Sequence, residues 1–120
     1  MRFRADAPGI RVARRWVTDV ARQAGASTEA ERVVALLTTE AVTNAVVHGP
    51  PGGRVDVEAQ VRDHRLHVEV SDESTATPVL RMPTTTALSG RGVMLIDRLS
   101  TDWGVQHHGN AKTVWFDVAI

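Results

Sequence analysis

Cysteine is absent from this chain, net charge is absent, and so is any long apolar run. Without cysteine there is no disulfide framework, no thiolate nucleophile and no zinc site built on sulfur. Fourteen basic residues balance fourteen acidic ones, so nothing pulls the whole molecule toward nucleic acid or an anionic membrane, and no strand pattern shows a basic face lined with aromatics. No stretch approaches the roughly 18 apolar residues of a membrane span, and the start, Met1-Arg2-Phe3-Arg4-Ala5-Asp6, has no apolar signal core. A cytoplasmic location is the default expectation. What is present is ordinary for a globular protein: 42% hydrophobic and 23% charged residues over 120 positions, enough for one domain with one core.

Taken in order, the chain predicts a short extended lead and then a helix with Pro8 in its first turn, where proline is tolerated. Ala13, Trp16, Val17, Val20 and Ala24 supply its apolar face, with Arg11, Arg14, Arg15, Asp19 and Arg22 toward solvent. Gly25 ends it. A second helix begins at Ser27 or Thr28, with Thr28 and Glu31 spaced as a capping box, and runs to about His48. From Arg54 the period becomes two: Val55, Val57, Ala59 and Val61 alternate with polar residues, a polar turn around Asp63 follows, and Leu66, Val68 and Val70 continue the alternation to Ser71 and Asp72. That is an antiparallel hairpin. Residues 75–89 show no clean period and form an expected loop of the length that often carries function. A short helix from Val93 and a last hairpin turning at Gly109-Asn110 complete the chain. The fold class predicted is α+β: a two-layer α/β sandwich with helices on one face of a mainly antiparallel sheet.

The second helix holds the feature around which the chain is organised. At 3.6 residues per turn, Val33, Leu36, Leu37, Glu40, Asn44 and Val47 share one stripe. A carboxylate and a carboxamide one turn apart are thereby set into a mostly apolar face, where an unpaired polar group costs roughly 1–3 kcal/mol. His48-Gly49-Pro50-Pro51 stops the helix abruptly, which leaves the polar pair in its last turns beside a loop. Further on, Gly90-Arg91-Gly92-Val93 opens a helix, and glycines there let backbone amides approach a phosphate at the positive end of the helix dipole. His64, His67, His107 and His108 lie in turns or alternate along strands, without acidic company at metal-ligand spacing.

The order of these features, an acidic residue and Asn on a helix, Asp72 at a strand end, a loop, a glycine-rich helix start and a final Lys112-Thr113 strand, resembles the Bergerat-fold ATPases. That superfamily includes the gyrase, heat-shock chaperone, histidine kinase and mismatch-repair ATPases. More closely, Glu40-Ala41-Val42-Thr43-Asn44-Ala45-Val46-Val47-His48-Gly49, Gly90-Arg91-Gly92-Val93, Asp102-Trp103-Gly104 and Lys112-Thr113-Val114-Trp115-Phe116 are similar to the small stand-alone anti-sigma-factor serine/threonine kinases and their actinobacterial relatives. The resemblance implies ATP and Mg²⁺. Asn44 would be the metal ligand, a hard oxygen donor beside phosphate and water, and Glu40 the base for the attacking hydroxyl. Asp72 would accept a hydrogen bond from the adenine amino group, with Thr113 helping to hold the base. Gly90 and Gly92 would meet the phosphates with Arg91 as an extra cation, and His48 would serve the helix end or the phosphates.

By the same resemblance the partners would be an anti-sigma antagonist of the STAS type, phosphorylated on serine or threonine, and a sigma factor, with the kinase a homodimer. Two departures stand against the pattern. The first glycine box, usually Asp-x-Gly-x-Gly, here reads Asp72-Glu73-Ser74-Thr75-Ala76, and the loop up to Gly90 is short for a lid that excludes water. The alternative they support is a module of the same fold that has lost catalysis and acts by binding proteins.

Overall fold

The computed structural model describes residues 1–73 and 94–120. Gly90, Arg91 and Gly92, the expected loop over 75–89 and the first residue of the helix expected from Val93 lie outside the described residues.

Seven elements run in the order β1 (Arg2–Arg4), α1 (Ala7–Gln23), α2 (Thr28–His48), β2 (Arg54–Arg62), β3 (Arg65–Asp72), β4 (Asp102–His108) and β5 (Ala111–Ala119). Residues 94–99 are also helical. The strands form one antiparallel sheet in the order β1-β2-β3-β5-β4, and the helices cover one face of it. The expected two-layer α+β sandwich is therefore what the chain forms. The lead is more than an extended arm: β1 pairs with β2, and the terminal ammonium of Met1 donates to the Val57 carbonyl at 2.6 Å. Three residues are too few for a period of two to declare a strand, so only the pairing reveals it.

Each helix starts on a side chain that accepts a hydrogen bond from an otherwise unpaired amide. Asp6 accepts from the Gly9 amide and Ser27 from the Ala30 amide, both at 3.0 Å. The capping box expected from Thr28 and Glu31 does not form. Helix α2 begins one residue earlier, and Glu31 instead takes Arg22 of α1 at 3.0 Å.

The core-facing side of α1 is Gly9, Ala13, Val17 and Ala21, a row of mostly small residues that lets the helix lie close. Phe3 closes over its start, since a Cβ on Gly9 would fall 2.2 Å from the Phe3 ring. Trp16 and Ala24, expected on this face, lie outside it.

Helix α2 buries Ala30, Val34, Leu37, Thr38, Ala41, Val42, Asn44 and Ala45. The expected stripe is thus rotated: Leu37 and Asn44 remain in it, while Leu36 is 36% and Val47 58% exposed. Apolar residues occur on nearly every side of α2, so spacing alone does not choose its inner face. The small residues Ala30, Ala41 and Ala45 choose it, because they permit the closest approach.

Val55, Val57, Leu66, Val68, Val70, Val114, Phe116 and Val118 complete the core from the sheet, with Ile96 from the helical segment 94–99. Both hairpin turns are two residues long. Asp63 and His64 take positive φ of 53° and 60°, and Gly109 takes 62°, where a right-handed strand twist asks for such values.

Candidate functional site

The end of α2 meets the end of β3. Gly49 terminates the helix with its amide on the Ala45 carbonyl at 2.9 Å, and its backbone is extended, with φ −76° and ψ 165°. Its lack of a side chain matters for contact: a Cβ there would lie 2.6 Å from the Ala45 oxygen and 3.7 Å from the Asp72 Cβ. This close approach sets Asn44, His48 and Gly49 at the same end of the sandwich as Asp72. Asn44 is 7% and Asp72 3% exposed. Glu40 is partly buried at the margin of the inner face, and His48 is exposed.

The strand partner of Asp72 is Lys112. The two are directly opposed in the β3–β5 register, so their side chains leave the sheet on the same, helix-covered face. Lys112 Nζ lies 3.5 Å from Asp72 Oδ2, and Lys112 is only 1% exposed. Thr113, expected to share the base with Asp72, points to the other face. There its hydroxyl is 2.7 Å from that of Ser71, its own strand partner. The β5 residue placed beside Asp72 is Lys112, which the sequence analysis did not single out as a site residue. Strand alternation carried the signal, since Lys112 has the parity of the core residues Val114, Phe116 and Val118.

Glu73, at the variable position of the first glycine box, accepts from the Arg54 amide at 2.6 Å. It thereby ties the loop after α2 to the end of β3. Gly90, Arg91 and Gly92 lie outside the described residues, so the phosphate side of the expected site is represented here by α2 alone.

A second polar cluster sits on the open face of the sheet. His67 Nδ1 is 2.6 Å from Asp117 Oδ1, and Nε2 is 2.8 Å from Glu69 Oε2; the ring also lies 5.5 Å from that of Trp115, at a 34° tilt. His67 therefore has two carboxylates as neighbours, supplied at i+2 and across the strand pair; among the described residues no group of side chains is arranged to hold a metal ion. Burial lowers its pKa, but hydrogen bonds to Glu69 and Asp117 and their charges outweigh that and raise it. A neutral imidazole has one N–H, whereas two carboxylates at these distances ask for two. The geometry is that of an imidazolium. Among the described residues, no helix is long and apolar enough to cross a membrane.

The family model described as a histidine kinase-like ATPase domain matches residues 3–118. Among solved structures, the chain is similar to the RsbU and RsbW domains of Rv1364c from Mycobacterium tuberculosis, at 18% identity and a TM-score of 0.75 over 98% of this chain and 31% of that one. It is similar to the blue-light activated histidine kinase EL346 of Erythrobacter litoralis, at 26% identity and a TM-score of 0.61, over 78% of this chain and 31% of that one. The mycobacterial sensor histidine kinase MprB matches with 14% identity and a TM-score of 0.59, over 98% of this chain and 95% of that one. The chain spans about a third of the length of the first two structures. No curated protein matches.

Proposed function

As the chain belongs to the histidine kinase-like ATPase domain family, we propose that it binds ATP with Mg²⁺ between the ends of α2 and β3 and phosphorylates a serine or threonine of a small anti-sigma antagonist. A sigma factor is its second partner. The observation that carries the reading is the convergence of two buried polar side chains, Asn44 and Asp72, from elements distant in sequence, at the point where Gly49 brings α2 onto β3. Buried polar groups of this kind are costly to place in a core for packing alone, and a carboxylate and an amide oxygen are the acceptor types that a nucleotide base and its metal ion use.

Asp72, as a carboxylate, accepts from the exocyclic amino group of the base. Asn44 offers one hard amide oxygen, the donor type that Mg²⁺ takes alongside phosphate and water. Bound ATP supplies the phosphoryl group and its metal the charge neutralisation. Glu40, on the same helix one turn before Asn44, orients the acceptor hydroxyl and takes its proton. The hydroxyl oxygen bonds to the γ-phosphorus as the bond to the β–γ bridging oxygen breaks, and ADP leaves. Such transfer asks mainly for positioning and charge neutralisation, so a base held by a buried helix suits it.

A second reading rests on a specific observation: the first glycine box is replaced, and its Glu73 is committed to the Arg54 amide. On that reading the fold binds proteins without catalysis. Titration calorimetry with ATP and ADP, with and without Mg²⁺, separates the two. Micromolar, Mg²⁺-dependent binding that is lost in Asn44→Ala supports the ATP site, and absence of binding supports the module. Given binding, transfer to a cognate antagonist that persists unchanged in Glu40→Ala refutes the assigned base.

A further inference from the structure

Lysine occurs once in this chain, at position 112; the other thirteen basic residues are arginine. That single lysine is also among the largest fully buried side chains, at 1% exposure, with its ammonium 3.5 Å from a carboxylate that is itself buried. We infer that Lys112 is a base-reading residue that acts beside Asp72 and donates a hydrogen bond to the ring nitrogen flanking the amino group of a 6-aminopurine. The inference rests on the ATP-binding reading above and deepens it.

Position and chemistry carry the argument. On the inner face of β5, Val114, Phe116 and Val118 follow Lys112 at every second residue, and an apolar side chain would continue that row. Lysine is almost never fully buried unless paired, and a buried ion pair commonly does no better for stability than apolar residues of the same volume. Stability alone therefore gives no reason for lysine here. The pair distance of 3.5 Å is longer than the 2.7–2.9 Å of a charge-assisted hydrogen bond.

An ammonium only donates and a carboxylate only accepts, so the two present a donor and an acceptor side by side. The edge of a 6-aminopurine presents the complement: an amino donor next to a ring-nitrogen acceptor, at N1 on one side and N7 on the other. A base seated there donates to Asp72 and accepts from Lys112. Each member of the buried pair keeps a polar partner when the ion-pair contact is exchanged for the base. Arginine, broad and planar, does not fit the role of a compact point donor at one ring nitrogen.

A single lysine also makes the test direct. Protein labelled with ¹⁵N at the lysine ε-position gives one side-chain ammonium signal, free of overlap. ADP, 1-deaza-ADP and 7-deaza-ADP are titrated into the unaltered protein and followed by that signal and by calorimetry. The expected result is a shifted lysine signal with ADP and at least about tenfold weaker binding of one deaza analogue, the loss of a hydrogen bond to a charged donor. In Lys112→Met, checked for folding by circular dichroism, that discrimination disappears. If ADP binds but leaves the lysine signal unmoved and both analogues bind as ADP does, Lys112 is only a structural partner of Asp72 and the inference is overturned while ATP binding stands. If no nucleotide binds, both readings fall together.

Discussion

Thr38 is fully buried in α2, and among the described residues its hydroxyl oxygen has no hydrogen-bond partner. A buried hydroxyl left without a partner costs about 1–3 kcal/mol relative to one in water. Thr38→Val keeps the β-branched shape, replaces the hydroxyl by a methyl group and barely changes helix propensity. The gain expected is about 1 kcal/mol, the lower end, because the new methyl must fit where an oxygen sat. For a chain of 120 residues, an unfolding entropy of roughly 2.1 cal/mol/K per residue sums to about 0.25 kcal/mol/K, so the midpoint should rise by about 4 °C. Thermal melting and urea titration at unchanged m-value measure it. Because the side chain faces the core, nucleotide affinity should not change. A midpoint that stays level or falls would show that the Thr38 hydroxyl is satisfied in solution and would refute the reasoning.

Three further outcomes are expected. The raised pKa of His67 makes the imidazolium worth more folded than unfolded, so its contribution is fully present below pH 6.5 and is lost as pH rises through the folded-state value. Stability measured from pH 5.5 to 8.5 should therefore fall more steeply for the native protein than for His67→Gln, and parallel profiles would disprove the contact. His64 holds a φ of 60° in the β2–β3 turn, which costs an L side chain about 1 kcal/mol; His64→Gly should recover roughly 0.5–1 kcal/mol in chemical unfolding, and a loss of stability would count against the turn as described. Gly49→Ala puts a methyl 2.6 Å from the Ala45 carbonyl oxygen, so the helix end must shift, at a cost of about 1–3 kcal/mol; a variant as stable as the parent would show that the Gly49 backbone does not end α2 as described.

Periodicity made much of this fold legible, and its limits explain what was not. Strands β2 and β3 alternate strictly because one sheet face is open to water, and that alternation locates both hairpin strands within a residue or two. Helix α2 has no such asymmetry: Val33, Leu36 and Val47 are as apolar as Val34, Leu37 and Val42. Its inner face is decided by which residues are small enough for close packing, a property that appears only when the partner surface is known. His67 illustrates the same limit for polar contacts, since Asp117 is fifty residues away and register alone joins them.

Asn44, Asp72 and Lys112 show where motif and geometry part. The resemblance names Asn44 and Asp72, and the fold sets both at one end of the molecule, near element ends that the sequence marks with glycine and acidic residues. It also names Thr113, which strand parity sets on the face opposite to Asp72: adjacent residues on β5 face opposite sides, and only one of them can share a face with Asp72. Lys112 pairs with Asp72 as Val114 pairs with Val70 and Phe116 with Val68, so its direction follows from the core itself. A residue aligned by motif occupies a site only if it has the parity of that site, and in a two-layer sandwich the buried row of the strand provides that check.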